Sequence, residues 1–153
     1  MNQIAELLSP ERILLDLDAA SKARLFEAVG GAFAAQGGLD ASAISTSLAA
    51  REKLGSTGLG QGIAIPHGRI RGLPEAKGAF VRLKSPIPFD SPDGKPVAQV
   101  FVLLVPAQAT EKHLQLLSEL AQMFSEASFR ESLATPTDAG GVRDVFDRWE
   151  PAA

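Results

Sequence analysis

The segment Arg51 to Arg69, REKLGSTGLGQGIAIPHGR, limits the fold more sharply than any other part of the chain. Gly55, Gly58, Gly60 and Gly62 lose too much backbone freedom on ordering for the segment to be helical. Ile63-Ala64-Ile65 is short, apolar and β-prone, and predicts a buried strand. Pro66 lacks an N–H, which predicts the end of that strand's ladder, and it holds Ile65 extended. His67 is therefore expected just past a strand end, at the rim of a sheet. Gly68 is expected to leave its imidazole unshielded on one side.

A histidine in that position is presented to something outside the protein. Neutral imidazole is a good nucleophile, and its unperturbed pKa of about 6.5 makes the neutral form common near neutral pH. Glycine-rich loops let backbone N–H groups converge on an anion. Ser56 and Thr57 add hydroxyl donors, and Arg51 and Arg69 add fixed positive charge. The sum predicts a nucleophile beside a phosphate-shaped polar socket, and a histidine that takes up a phosphoryl group. A histidine that merely caps a turn would need none of these neighbours. The loop reads Gly-x-Gly-x-Gly, neither the dinucleotide fingerprint nor a P-loop, so nucleotide binding is not expected.

Around this segment the pattern alternates helices and strands, as an α/β layer fold does. A short helix is expected over Ile4 to Leu8 and a strand over Arg12 to Leu17. Ser21 is a predicted N-cap for a helix with Leu25, Val29, Ala32 and Phe33 on one face, ended by Gly37-Gly38. Asp40 caps the next helix, whose Ile44, Leu48 and Arg51 share a face and aim Arg51 toward the glycine loop. Arg69 to Lys77 reads as a polar connection and Gly78 to Leu83 as a strand. Pro86, Pro88, Pro92 and Asp93-Gly94 mark a long turn region. Pro96 to Val105 is apolar almost throughout and predicts a central strand covered on both faces. Thr110 is expected to cap a helix carrying the rows Leu116, Leu120, Met123 and Leu117, Ala121, Phe124. Two shorter helices follow, over Ser128 to Leu133 and Asp138 to Trp149, packing through Val142, Val145, Phe146 and Trp149. His113 falls in the first turn of the Thr110 helix, where the dipole disfavours imidazolium and keeps one N–H available to a phosphoryl oxygen or to His67.

Composition excludes several classes of function. The net charge of -3, with no Lys/Arg cluster, argues against nucleic-acid or anionic-membrane partners. With no cysteine there is no disulfide, thiolate metal site or cysteine nucleophile. The two histidines form no HxxxH or HxH pair, so no metal is expected, and no cofactor is implied. No apolar run approaches the roughly 20 residues of a membrane span, and Met1 to Glu6 lacks a signal pattern. The expectation is a cytoplasmic protein that is not an integral membrane protein. At 153 residues, 1–153 reads as one domain.

Arg51-Glu52, the Gly-Ser-Thr-Gly-Leu-Gly-Gln-Gly loop and Ile-Ala-Ile-Pro-His67-Gly resemble the IIA proteins of the phosphoenolpyruvate:sugar phosphotransferase system. The resemblance is to the fructose/mannitol class and, within it, to the nitrogen-regulatory IIA proteins. It spans nearly the whole chain, with the loop-to-histidine segment as its specific part. It implies an α/β fold, with a central mixed sheet flanked by helices on both faces. It implies a phosphoryl group carried on His67, through Nε2, with His113 and Arg51 beside it. Ser56, Thr57 and Gly58 are the expected phosphoryl-binding residues. The implied donor is an HPr-type phosphocarrier protein charged from phosphoenolpyruvate by enzyme I. The implied acceptors are regulatory target proteins or a IIB component. Three readings follow: a regulatory phosphocarrier, a sugar-transport IIA unit, and a non-phosphorylated binding module. A chain ending at Ala153 without a fused IIB or membrane domain favours the first. Retention of His67, His113 and Arg51 together argues against the third.

Overall fold

The computed structural model describes residues 2–108 and 111–150. In chain order the elements are α1 (Gln3–Glu6), β1 (Ile13–Leu17), α2 (Lys22–Ala34), α3 (Ala41–Lys53), β2 (Gly58–Gly60), β3 (Ile63–Ala64) and β4 (His67–Ile70). β5 (Lys77–Ile87), β6 (Val97–Pro106), α4 (Glu111–Ser125), α5 (Ala127–Ala134) and α6 (Ala139–Arg148) complete the fold. The caps fall where side-chain chemistry predicts them. Ser21, Asp40 and Asp138 each accept a hydrogen bond from a backbone N–H in the first turn of the helix that follows. The expected Thr110 cap lies outside the described residues.

One mixed sheet organises the chain, in the order β1-β5-β6-β3-β2, with β4 also paired to β6. β1 runs parallel to β5, β5 antiparallel to β6, and β3 and β4 parallel to β6. The apolar run of β6 is covered on both faces. Phe101, Leu103 and Val105 pack with α1, α4, α5 and α6, whereas Val100, Val102 and Leu104 pack with α2 and α3. That alternation is the period of a strand sorting its side chains between two helical layers. Phe146 of α6 anchors the first layer, with its ring centroid 5.3 to 6.2 Å from those of Phe80, Phe101, Phe124 and Phe129.

Four local expectations are corrected. The glycine stretch is not wholly loop, because Gly58–Gly60 pairs antiparallel with Ile63–Ala64 as a hairpin. Gln61 and Gly62, at its tip, have φ of 58° and 79°, the left-handed pair that a twist-matched two-residue turn requires. Asp93 accepts the Gln61 N–H at 2.8 Å and so holds a non-glycine residue in that conformation. Pro66 does not end the ladder. Ile63 lies opposite Gln99, Ala64 opposite Val100 and His67 opposite Leu103, so β3 and β4 follow β6 in one register. The Pro66 carbonyl accepts the Leu103 N–H at 3.0 Å across the gap. Arg69 and Ile70 consequently belong to β4, not to a polar connection. Lastly, β5 continues through Pro86 to Ile87, into the expected turn region, with its pairing to β6 irregular after Arg82.

Candidate functional site

His67 opens β4, on the side of the sheet that faces α4, since Ile63 and Ile65 before it pack into that layer. It is half-buried. Its position within the β4–β6 ladder replaces the expected one past a strand end, and its exposure arises because β4 pairs only with β6. Gly68 has a different job from the one expected. A Cβ there would stand 2.5 Å from Oγ of Ser47, so the glycine admits α3 against β4. Ser47 uses that hydroxyl to donate to the Arg69 carbonyl at 3.2 Å. The close approach brings the last turn of α3, and with it Arg51, to the imidazole.

Both ring nitrogens of His67 are engaged. Nδ1 lies 3.0 Å from the Ile65 carbonyl, and Nε2 lies 3.2 Å from Nε of Arg51. A carbonyl only accepts and a guanidinium only donates, so the proton sits on Nδ1 and Nε2 keeps its lone pair. Arg51 is fixed at a second point, donating through Nη1 to the Gly55 carbonyl at 2.9 Å. Burial pushes the His67 pKa below its ordinary value. The Ile65 carbonyl pulls it up, and the charge of Arg51 depresses it further.

His113 lies edge-on to His67, with ring centroids 5.2 Å apart and planes at 81°. The stripe His113, Leu116, Leu120, Met123 and Phe124 is the buried face of α4, so the histidine extends an apolar row by one turn and is aimed at the sheet. Its pKa is also lowered, first by burial and then by His67, Arg69 and Arg51. Its Nδ1 is buried without a hydrogen-bond partner among the described residues. Two neutral imidazoles and one guanidinium thus meet at the edge of one strand.

The glycine hairpin supplies the opposite wall. Ser56, Thr57, Gly58 and Leu59 line a cleft of about 320 Å³ with Arg51, Ile65, His67 and the α4 residues Leu117, Ser118 and Ala121. The two hydroxyls expected to bind a phosphoryl group are already occupied. Ser56 Oγ donates to the Phe89 carbonyl and accepts the Gly58 N–H, and Thr57 Oγ1 donates to Glu52 at 2.6 Å. Gly58 is confined by Ser91 and Ser56, which any side chain there would strike. Leu59 is 45% exposed at the cleft mouth, whereas Ile70 of β4 is buried against the α2–α3 layer. Sequence reasoning missed Glu52. Its side chain is 6% exposed and joins Thr57 to Lys22, and the only available signal was its place next to Arg51.

Among the described residues no group of three or more histidine, cysteine or acidic side chains is arranged to hold a metal ion. No described helix is long and apolar enough to cross a membrane.

Residues 6–148 match the family described as phosphoenolpyruvate-dependent sugar phosphotransferase system, EIIA 2. The chain is 44% identical over 146 residues to a nitrogen regulatory protein of Pseudomonas aeruginosa, covering 95% of both. The crystal structure of nitrogen regulatory protein IIA-Ntr from Neisseria meningitidis superposes with a TM-score of 0.88 at 51% identity, over 94% of this chain and 99% of that one. The crystal structure of IIA mannitol from Escherichia coli superposes at 0.75 with 23% identity, over 90% of this chain and 97% of the other, a likeness of fold.

Proposed function

The chain belongs to the phosphoenolpyruvate-dependent sugar phosphotransferase system EIIA 2 family, and on that premise we propose that it carries a phosphoryl group on Nε2 of His67, received from an HPr-type phosphocarrier protein. The match over residues 6–148 supports treating the chain as one such domain. The observation that carries the reading is the tautomer. The Nδ1 proton is tied to the Ile65 carbonyl, leaving the Nε2 lone pair directed to the cleft side of the ring where Arg51 waits.

The transfer is an in-line exchange. The Nε2 lone pair of His67 attacks the phosphorus of the donor's phosphohistidine. As the new N–P bond forms the old one breaks, and its electron pair returns to the donor's imidazole nitrogen. The Nδ1 proton stays where it is, so the product ring carries the positive charge that keeps the bond labile. Arg51 first occupies the direction from which phosphorus arrives. Its Nε–H must therefore leave Nε2 and turn to a phosphoryl oxygen, exchanging a neutral acceptor for an anionic one. His113, held neutral, is close enough to donate its N–H to a second oxygen. Ser56, Thr57 and Gly58 form the wall on which the group rests. With both hydroxyls committed, their contribution is the shape of the hairpin. The exposed Leu59 at the cleft mouth suits a small, transient docking surface.

The likeness to nitrogen regulatory proteins supports a regulatory phosphocarrier, whose phosphorylation state is read by target proteins. A IIB component is the alternative acceptor. The protein is incubated with phosphoenolpyruvate, enzyme I and an HPr-type carrier. One acid-labile phosphoryl group per chain is expected, absent from His67→Ala. Phosphorylation of that variant would overturn the assignment. Adding a IIB protein and sugar to the charged protein separates transport from regulation.

A further inference from the structure

We propose that Glu52 is a positioning residue for His67, acting through Thr57 and Ile65 to fix the imidazole tautomer. Glu52 follows Arg51 in the last turn of α3, yet its side chain turns under the glycine hairpin and is removed from water. A carboxylate is held there only when donors compensate its lost hydration. Here the donors are Lys22 Nζ at 2.8 Å, Thr57 Oγ1 at 2.6 Å and the Thr57 N–H at 3.1 Å. Lys22 is itself fixed, 4.7 Å over the Phe89 ring and 3.5 Å from Asp90.

The bonds continue to the reacting ring. The Thr57 carbonyl accepts the Ile65 N–H at 3.0 Å, and the Ile65 carbonyl is the group that meets Nδ1 of His67. Pro66 has no N–H with which to secure that peptide to the sheet. The Ile65 carbonyl is therefore oriented by the anchors on either side of it, the Pro66 carbonyl on the Leu103 N–H and the Ile65 N–H on the Thr57 carbonyl, and the second of these continues to Glu52. Nε2 of His67 then returns the path to Arg51, the residue covalently joined to Glu52. The path is closed: a shift of the carboxylate moves both the group that holds the imidazole proton and the arginine that faces its lone pair. The carboxylate makes no contact with the ring; its charge opposes the lowering of the His67 pKa from a distance, and its hydrogen bonds act on the ring through Thr57 and Ile65.

The consequence for transfer rests on the phosphoryl-acceptor reading of His67, but the effect on the ring does not. The test uses the full chain with Glu52→Gln, Thr57→Val and the double variant, each checked for cooperative unfolding. The tautomer of His67 is read from its imidazole ¹⁵N shifts, and phosphoryl uptake is timed from the charged HPr-type carrier. Wild type is expected in the Nδ1–H form. Glu52→Gln is expected to shift the ring toward the Nε2–H form and to slow uptake about tenfold. Thr57→Val is expected to move both in the same direction, and the double variant to fall no further than the worse single one, since the two act in series. A folded Glu52→Gln with an unchanged tautomer overturns the proposal, whatever its rate, and so do effects that multiply in the double variant. Should Glu52→Gln fail to fold, the Thr57→Val tautomer decides alone. Should wild type take up no phosphoryl group, the function proposed above fails while the ¹⁵N measurement still decides this one.

Discussion

Replacing Arg51 by glutamine removes the only guanidinium in contact with His67 among the described residues, along with its second anchor on the Gly55 carbonyl. The size of the effect follows from where the charge sits. Nε is 3.2 Å from Nε2, so once the arginine swings onto the transferring group its charge lies about 4 Å from a phosphoryl oxygen. At an effective dielectric of about 20 that attraction is ~4 kcal/mol. The arginine is only partly buried, and water replaces some of what is lost, so about half survives as a net effect. About 2 kcal/mol in the transition state is roughly a 30-fold slower transfer. Arg51→Lys keeps the charge but cannot contact His67 and Gly55 together through one planar group, and is expected between the two. The assay is rapid-quench measurement of ³²P transfer from the charged carrier, with unfolding curves to show that the variants remain folded. Transfer by Arg51→Gln within about threefold of wild type would refute the electrostatic reasoning.

Three further outcomes are expected. Because burial and Arg51 lower the His67 pKa, its neutral, nucleophilic form persists as pH falls through about 6.5, and uptake should stay level there and fail only in more acid solution; an NMR titration placing the His67 midpoint at or above the usual value would contradict this. The same sign governs stability: the unfolded chain binds protons first, so the contribution of His67 and His113 is present above the ordinary histidine range and is lost as pH falls through their lowered values, measurable by urea unfolding across that range. Gly68→Ala should cost about 1 kcal/mol by forcing Ser47 out of its bond to the Arg69 carbonyl, and most of that cost should vanish in a Ser47→Ala background, as a double-mutant cycle would report. Phe146→Ala, emptying a fully buried ring from among four other phenylalanines, should lower unfolding stability by about 3–5 kcal/mol.

What the sequence discloses divides by range. Ser21, Asp40 and Asp138 cap helices through atoms three residues away, so local chemistry suffices to find them. The two-sided burial of β6 is written in an apolar run that only Gln99 interrupts. The aim of Arg51 toward the glycine loop was legible too, since helical spacing from Ile44 and Leu48 sets it and Nη1 reaches the Gly55 carbonyl, whereas its place beside His67 came from the family resemblance. The glycine hairpin was not, because Gly58 and Gly60 carry no strand signal and join the sheet through their pairing with Ala64 and Ile63 across the turn, Gly60 with a φ of 88°. Pro66 misled for a related reason: its missing N–H is a local fact, while the register on either side belongs to β6. Glu52 reads as an ordinary helix-end acid until Thr57 and Lys22 are seen to enclose it. The commitment of the Ser56 hydroxyl is equally invisible, as its partner Phe89 is remote in sequence.

The continuous register of β3 and β4 along β6 makes the count of residues between the hairpin and the histidine a fixed quantity. Alternation carries Ile63, Ile65 and His67 to one surface of the sheet, so one residue added or removed after Ala64 would turn the imidazole toward α3 and seat a neighbour opposite His113. Substitution in this stretch can be graded, but length cannot. The span from Ala64 to His67 thus acts as a ruler that sets which way the imidazole faces.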